Sequence, residues 1–233
     1  MTKKLDIYKG RDPRQIPAYT IQEAAHYVRV PEQTLHRWLY GWNKGAGGRA
    51  TRLVAPADPA GHRLSFVNLV ELHVLRAITR EHAVRMPKVR EAINTLERKF
   101  KTPHPLVDEE MQTDGRNLFV TRLGKLFNLN RDGQMAMREI LEAHLKRIER
   151  DEAGLAVRLY PFTRDTTKAE SVPRLVAIDP RVAFGRPTIV GTRIPTAEVA
   201  DRFAAGDSVE LLVGEYGATA AALEEAIRYE HAA

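Results

Sequence analysis

The sequence predicts an α+β fold that is mainly helical and built from successive small units. Three observations predict it. Apolar residues recur at helical spacing in 21–39, 67–81, 86–100 and 135–150. Short apolar runs bounded by Gly, Pro and Asp, at 118–120, 126–129, 155–162 and 175–190, read as strands. Charge also separates along the chain: residues 1–101 carry 19 Lys and Arg against 9 Asp and Glu, residues 102–169 carry 11 of each, and residues 170–233 carry 6 against 10. The expected organisation is a basic arm (1–16), a basic helical unit (17–101), a mixed β/α middle region with a linker (102–169), and an acidic unit of one β-hairpin plus three helices (170–233).

In the arm, Pro13 and Pro17 discourage a helix, and Lys3, Lys4, Lys9, Arg11 and Arg14 make it cationic: a mobile tail, or a strand that tracks a nucleic-acid backbone. Thr20 then caps a helix whose apolar face is Ile21, Ala24, Ala25 and Val28. Arg29 and Val30 break it. Pro31 opens a second helix with a buried stripe of Leu35, Trp38 and Leu39, and Glu32, Gln33, His36, Arg37 and Tyr40 point elsewhere. Such a pair is a helix-turn-helix whose second helix enters a DNA groove, or an ordinary helical hairpin with a polar outer face.

The next forty residues favour DNA. After the glycine-rich stretch 41–48 come Arg49 and Arg52, a Pro/Asp/Gly segment, then His62, Arg63, Leu64, Ser65 and Phe66, and another helix over 67–81. Helix, turn, helix, two short extended basic pieces and a further helix is the order of a winged helix. The motifs Y-T-I-x-E-A-A and P-x-x-T-L-x-R-W, with Leu64, Phe66, Leu69, Leu72 and Leu75, resemble the MerR-like winged-helix family over the first third of the chain. The DNA-contacting residues expected are Gln33, Thr34, His36 and Arg37 on the second helix and Arg49, Arg52, His62 and Arg63 from the wing. Arginine can address guanine and glutamine adenine through paired hydrogen bonds, so Arg37 and Gln33 are the base readers, unless they pair locally on the helix. Most of the remaining contacts would go to phosphate, which carries no sequence information.

A helix over 86–100 comes next, and Thr102-Pro103-His104-Pro105 marks a boundary. The middle region is expected to hold strands at 118–120 and 126–129, a helix over 135–150 and a strand at 155–162. It shows no chemistry and is assigned to scaffolding and dimerisation, because a repressor reading a palindromic site works as a homodimer. Residues 163–172 read as the linker. Beyond it, strands at 175–178 and 188–190 flank the turn Gly185-Arg186-Pro187, and helices run to Ala205, over 208–216 and over 219–229.

This last unit carries V-A-I-D-P-x-V-x-F-G-R-P-x-I-x-G-T-R-I-P and is similar to VapB-type antitoxins of the DUF433 class. The resemblance implies an antitoxin that holds a PIN-like ribonuclease toxin inactive and represses its own operon by binding operator DNA, in a prokaryotic cytoplasm at the nucleoid. PIN-like nucleases hold metal ions with clustered carboxylates, which a guanidinium could block through bidentate bonds. Arg186 and Arg193 are the candidates for toxin binding; alternatively each secures its own hairpin by pairing with Asp179 or Asp201. The acidic last helix, with Glu224, Glu225 and Glu230, argues against a second DNA site.

Catalysis is not expected. The chain has no cysteine, its eight histidines show no metal-ligand spacing, and no phosphate-binding loop or nucleophile motif is present, so no cofactor and no metal are expected. No apolar run is long enough to cross a bilayer, and the start lacks the apolar core of a signal peptide. A second reading is a stand-alone MerR-like regulator whose middle region senses a small ligand. A third is that the last unit only assembles oligomers.

Overall fold

The computed structural model describes residues 8, 10–41, 52–79, 86–108, 111, 114–127, 129–164 and 172–231. The amino-terminal helices form as the sequence implies. Helix α1 (Ile21–Val28) starts with a reciprocal cap: the Thr20 hydroxyl accepts from the Glu23 amide at 3.1 Å, and the Glu23 carboxylate accepts from the Thr20 amide at 2.8 Å. Arg29 ends it in the left-handed region (φ 53), with its amide bonded back to Ala25 and His26. Helix α2 (Glu32–Tyr40) follows Pro31, and its stripe of Leu35, Trp38 and Leu39 is buried, placing Trp38 in the core.

The two extended pieces expected next are represented, among the described residues, by isolated bridges from Tyr19 to Leu64 and from Asp58 to Arg63. Helix α3 (Phe66–Thr79) is buried almost all round and forms the spine of the larger core. Helix α4 (Met86–Phe100) has the bounds expected and buries Val89, Ala92, Ile93 and Leu96.

The middle region corrects the sequence reading. The strand expected at 118–120 and the first two residues of the one expected at 126–129 lie in one helix, α5 (Asp114–Phe127), and Asn128 lies outside the described residues. Phe119, Val120 and Leu123 are fully buried at helical spacing, and packing against α4 and α6 overrides the strand preference of Phe119 and Val120. Gly124 permits the close approach of α6, since a Cβ there would lie 2.5 Å from the Gln134 side chain. Helix α6 (Arg131–Leu145) begins four residues before the Met135 start expected, because Asn130 caps it by accepting from the Gly133 amide at 2.8 Å. It also ends earlier, and its expected last turn is strand β1 (Ile148–Arg150).

Strand β1 pairs with β2 (Ala156–Leu159), β2 with β3 (Val176–Ile178), and β3 with β4 (Pro187–Ile189), giving one antiparallel sheet in that order. The sheet therefore bridges the boundary expected at 169/170. Ile178 belongs to the larger core, whereas Ile189 joins a second, smaller core with helices α7 (Thr196–Ala204), α8 (Val209–Tyr216) and α9 (Ala220–His231). Both ends of the expected linker are fixed. Thr163 and Val172 are buried, and the buried Arg147 guanidinium donates to the carbonyls of Tyr160, Pro161, Val172 and Pro173 at 2.8–3.1 Å. Burial pushes the Arg147 pKa down to about 10.

Candidate functional site

Two surfaces carry the residues singled out by sequence. On α2, burial of the Leu35, Trp38 and Leu39 stripe turns Gln33, His36 and Arg37 outward, while Thr34 is half-buried. The structure brings His36 and His62 together through a residue left off the expected set. The Tyr40 ring lies 4.8 Å from His36 and 5.1 Å from His62, centroid to centroid, and its hydroxyl is 2.9 Å from His62 Nδ1. His62 sits at the tip of the 58–63 turn with φ 51, and Arg63 beside it is exposed while its backbone pairs with Asp58 at 3.0 Å in both directions. An amide, two imidazoles, a phenol and guanidinium groups on the outer side of α2 and on the 58–63 turn match the donors that nucleic-acid contacts employ. Arg49 lies outside the described residues.

Arg52 is exposed and takes a different position, at a cavity of about 290 Å³ between the 52–55 segment, α3, α4 and the 102–106 loop. Glu71, Arg90 and Glu97 also line it. Glu71 is buried with Asn68 Nδ2 at 3.0 Å and His104 Nδ1 at 3.1 Å. Burial raises the Glu71 pKa, an effect that His104 opposes, and the hydrogen bond to Glu71 raises that of His104.

The second surface is the hairpin. Arg186 and Arg193 stand at opposite ends of the three-residue strand β4; both are exposed, and neither has an ion-pair partner among the described residues. The pairing of either with Asp179 is not formed. Asp179 is taken instead by Arg158 of β2, at 3.2 Å, and by the Arg181 amide, at 2.9 Å. Of the acidic residues expected on α9, Glu224 is exposed, whereas Glu225 and Glu230 are turned toward the chain's own partners. Glu225 is 1 % exposed in its side chain and binds Arg164 at 2.5 Å, together with Arg228 and Thr163. Glu230 meets His26 Nε2 at 2.8 Å and accepts from Thr196.

These contacts seat the rear of the chain on the front. Arg29 donates to the Tyr229 carbonyl at 3.0 Å and lies over its ring, and the Tyr229 hydroxyl donates to the Tyr27 carbonyl at 3.1 Å. Gly185 (φ 79) packs against Tyr19 so closely that a Cβ would come within 2.1 Å of the phenol oxygen. Sequence reasoning missed Tyr19, Tyr27 and Tyr229 as contacts because the two sides are some two hundred positions apart. Among the described residues, no group of three or more His, Asp or Glu is placed to hold a metal ion, and no helix is long and apolar enough to cross a membrane.

The rear unit is a hairpin that adds the edge strand β4 to the sheet, followed by three helices around a small core, and residues 176–229 match the family model "Protein of unknown function (DUF433)". Over nearly its full length the chain is similar to a Mycobacterium tuberculosis protein named "Putative antitoxin VapB45", with 29% identity across 91% of this chain and 93% of the relative. "Uncharacterized protein Rv2308" of the same organism is 26% identical across 91% and 89% of the two chains. The crystal structure of Rv2018 from Mycobacterium tuberculosis superposes with a TM-score of 0.66 at 26% identity, covering 91% of this chain and 98% of that one.

Proposed function

We propose that this chain is the antitoxin of a toxin-antitoxin pair, which neutralises a PIN-like ribonuclease toxin by direct binding and represses its own operon by binding operator DNA. The observation that carries the reading is the near full-length similarity to a relative named as an antitoxin of the VapB class. In this reading residues 17–101 act as a MerR-like winged helix in a homodimer. Gln33 and Arg37 read bases, Thr34 and His36 line the same groove-facing helix, and Arg49, Arg52, His62 and Arg63 contact phosphates. The exposure of Gln33, His36, Arg37, His62 and Arg63 supports this assignment. The DUF433 unit binds the toxin, with the exposed guanidinium groups of Arg186 and Arg193 directed at its carboxylates.

Co-expression with the adjacent reading frame tests the reading. Relief of that product's toxicity, and a complex that survives gel filtration, are expected. In the same assay Arg193→Ala is expected to weaken inhibition by about tenfold, the size of one lost charged contact, with the melting temperature unchanged. Intact inhibition by this variant would remove Arg193 from the interface. A gel-shift titration with the upstream duplex, repeated at several salt concentrations, tests the front: the affinity of the full chain should fall steeply with salt.

The cavity beside Arg52 and Glu71 favours one second reading, a regulator whose DNA affinity responds to a small ligand. A metabolite that shifts duplex affinity in the absence of any toxin would select it.

A further inference from the structure

The most exposed large apolar side chain described lies where the fold is firmly held. Phe184 is 76 % accessible, far above Leu211 at 47 % and Phe203 at 41 %. It follows Ala183 and precedes Gly185, and the three have φ values of 46, 56 and 79. Two consecutive non-glycine residues in the left-handed region are costly, and persist only where their surroundings over-determine them.

The surroundings are on both sides of the loop. Before it, the Tyr8 hydroxyl donates to the Pro180 carbonyl at 2.8 Å, Asp179 is held by Arg158, and the Val182 amide donates to the Asp179 carbonyl at 2.9 Å. After it, Gly185 is wedged against Tyr19, and Pro187 enters β4. The exposure of Phe184 is thus a consequence of the chain path. Arg181 and Arg186, both exposed, flank it and make this loop cationic within a unit whose overall charge is negative.

We propose that Phe184 is the aromatic anchor of the partner-binding surface, seating in an apolar recess of the partner protein whose rim carries carboxylates that Arg181 and Arg186 address. This rests on the partner-binding reading above and deepens it. Aromatic and arginine side chains dominate binding energy at protein interfaces, and an anchor already fixed in its bound conformation loses little freedom on binding. Charge complementarity selects the occupant. A protein surface with carboxylates meets only the arginines, whereas a DNA duplex brought to this loop would also face the acidic remainder of the unit.

The test uses the full chain with the product of the adjacent reading frame as the probe, and measures dissociation rates on an immobilised complex. Phe184→Ala is expected to raise the dissociation rate tenfold or more, while Leu211→Ala, an equally apolar loss elsewhere in the unit, leaves it unchanged. Phe184→Gly separates binding from folding: glycine adopts φ 56 freely, so its melting temperature should equal or exceed that of the parent although binding is lost. Unchanged dissociation for Phe184→Ala in a complex that the parent chain forms overturns the anchor and leaves the partner reading standing. Loss of duplex binding with partner binding intact also overturns it and assigns the loop to DNA. If the parent chain itself does not bind the probe, the partner reading fails and the anchor fails with it.

Discussion

The DUF433 unit presents its charges in two opposite ways. On α9, Glu225 and Glu230 are closed in on the chain's own Arg164, Arg228, Thr196 and His26; on the hairpin, Arg186 and Arg193 face outward with no ion-pair partner among the described residues. Composition alone presents this unit as an acidic surface. The structure instead uses two carboxylates of α9 as internal fasteners, leaves Glu198, Asp201, Glu210, Glu215 and Glu224 exposed, and sets two guanidinium groups outward on the hairpin. A net charge therefore describes long-range attraction, while the character of a contact surface depends on which charges are already paired.

The contrast implies that changes at closed-in positions cost stability, whereas changes on the hairpin rim cost only binding. The largest effect is expected at Arg147, whose guanidinium holds four backbone carbonyls on the two sides of the 163–172 segment. Arg147→Met strands those carbonyls and should lower stability by roughly 3 kcal/mol, or roughly 6–12 °C in melting temperature for a domain of this size. Calorimetry checks it. A loss near zero would place Arg147 with the rim residues and dissolve the distinction.

A smaller loss, about 2 kcal/mol, is expected for Gly185→Ala, which adds both left-handed strain and a collision with Tyr19. Combining it with Tyr19→Phe removes the phenol oxygen that the new Cβ meets, so the double variant should recover part of the loss. Strict additivity in the double-mutant cycle would mean that the rear loop does not rest on Tyr19.

The smallest effect concerns pH. The folded pKa of His104 is raised through its hydrogen bond to Glu71, so its stabilising contribution is complete below the unfolded value of about 6.5 and is lost as pH rises through the folded value. Melting temperatures should therefore decline across that interval. His104→Gln should flatten the decline, and an equal slope in the variant would assign the dependence to another group.

Sequence reading was most accurate where a boundary is written in neighbouring residues. Thr20 caps α1, Arg29 and Pro31 form the turn, and the 3.6-residue period fixes α4 to its observed ends. It failed at 118–127, where Leu118, Phe119 and Val120 fit a strand as well as a helix and the choice fell to the neighbours α4 and α6. Of the candidate contact residues, the outward placement of Gln33, His36 and Arg37 was legible from the stripe they oppose. Tyr40 between two histidines was not, because His62 reaches it from twenty-two residues away.

By itself, then, the sequence determined the α+β class, the two amino-terminal helices with the turn between them, and the hairpin followed by three helices, since each is specified by caps, turns and periods spanning a few residues. Only the tertiary structure decided that β2 pairs with β3, that α9 lies on α1, and that Phe184 stands exposed on a loop held by Tyr19. Those features rest on contacts such as His26 to Glu230, 204 positions apart, and no local pattern encodes a partner so distant along the chain.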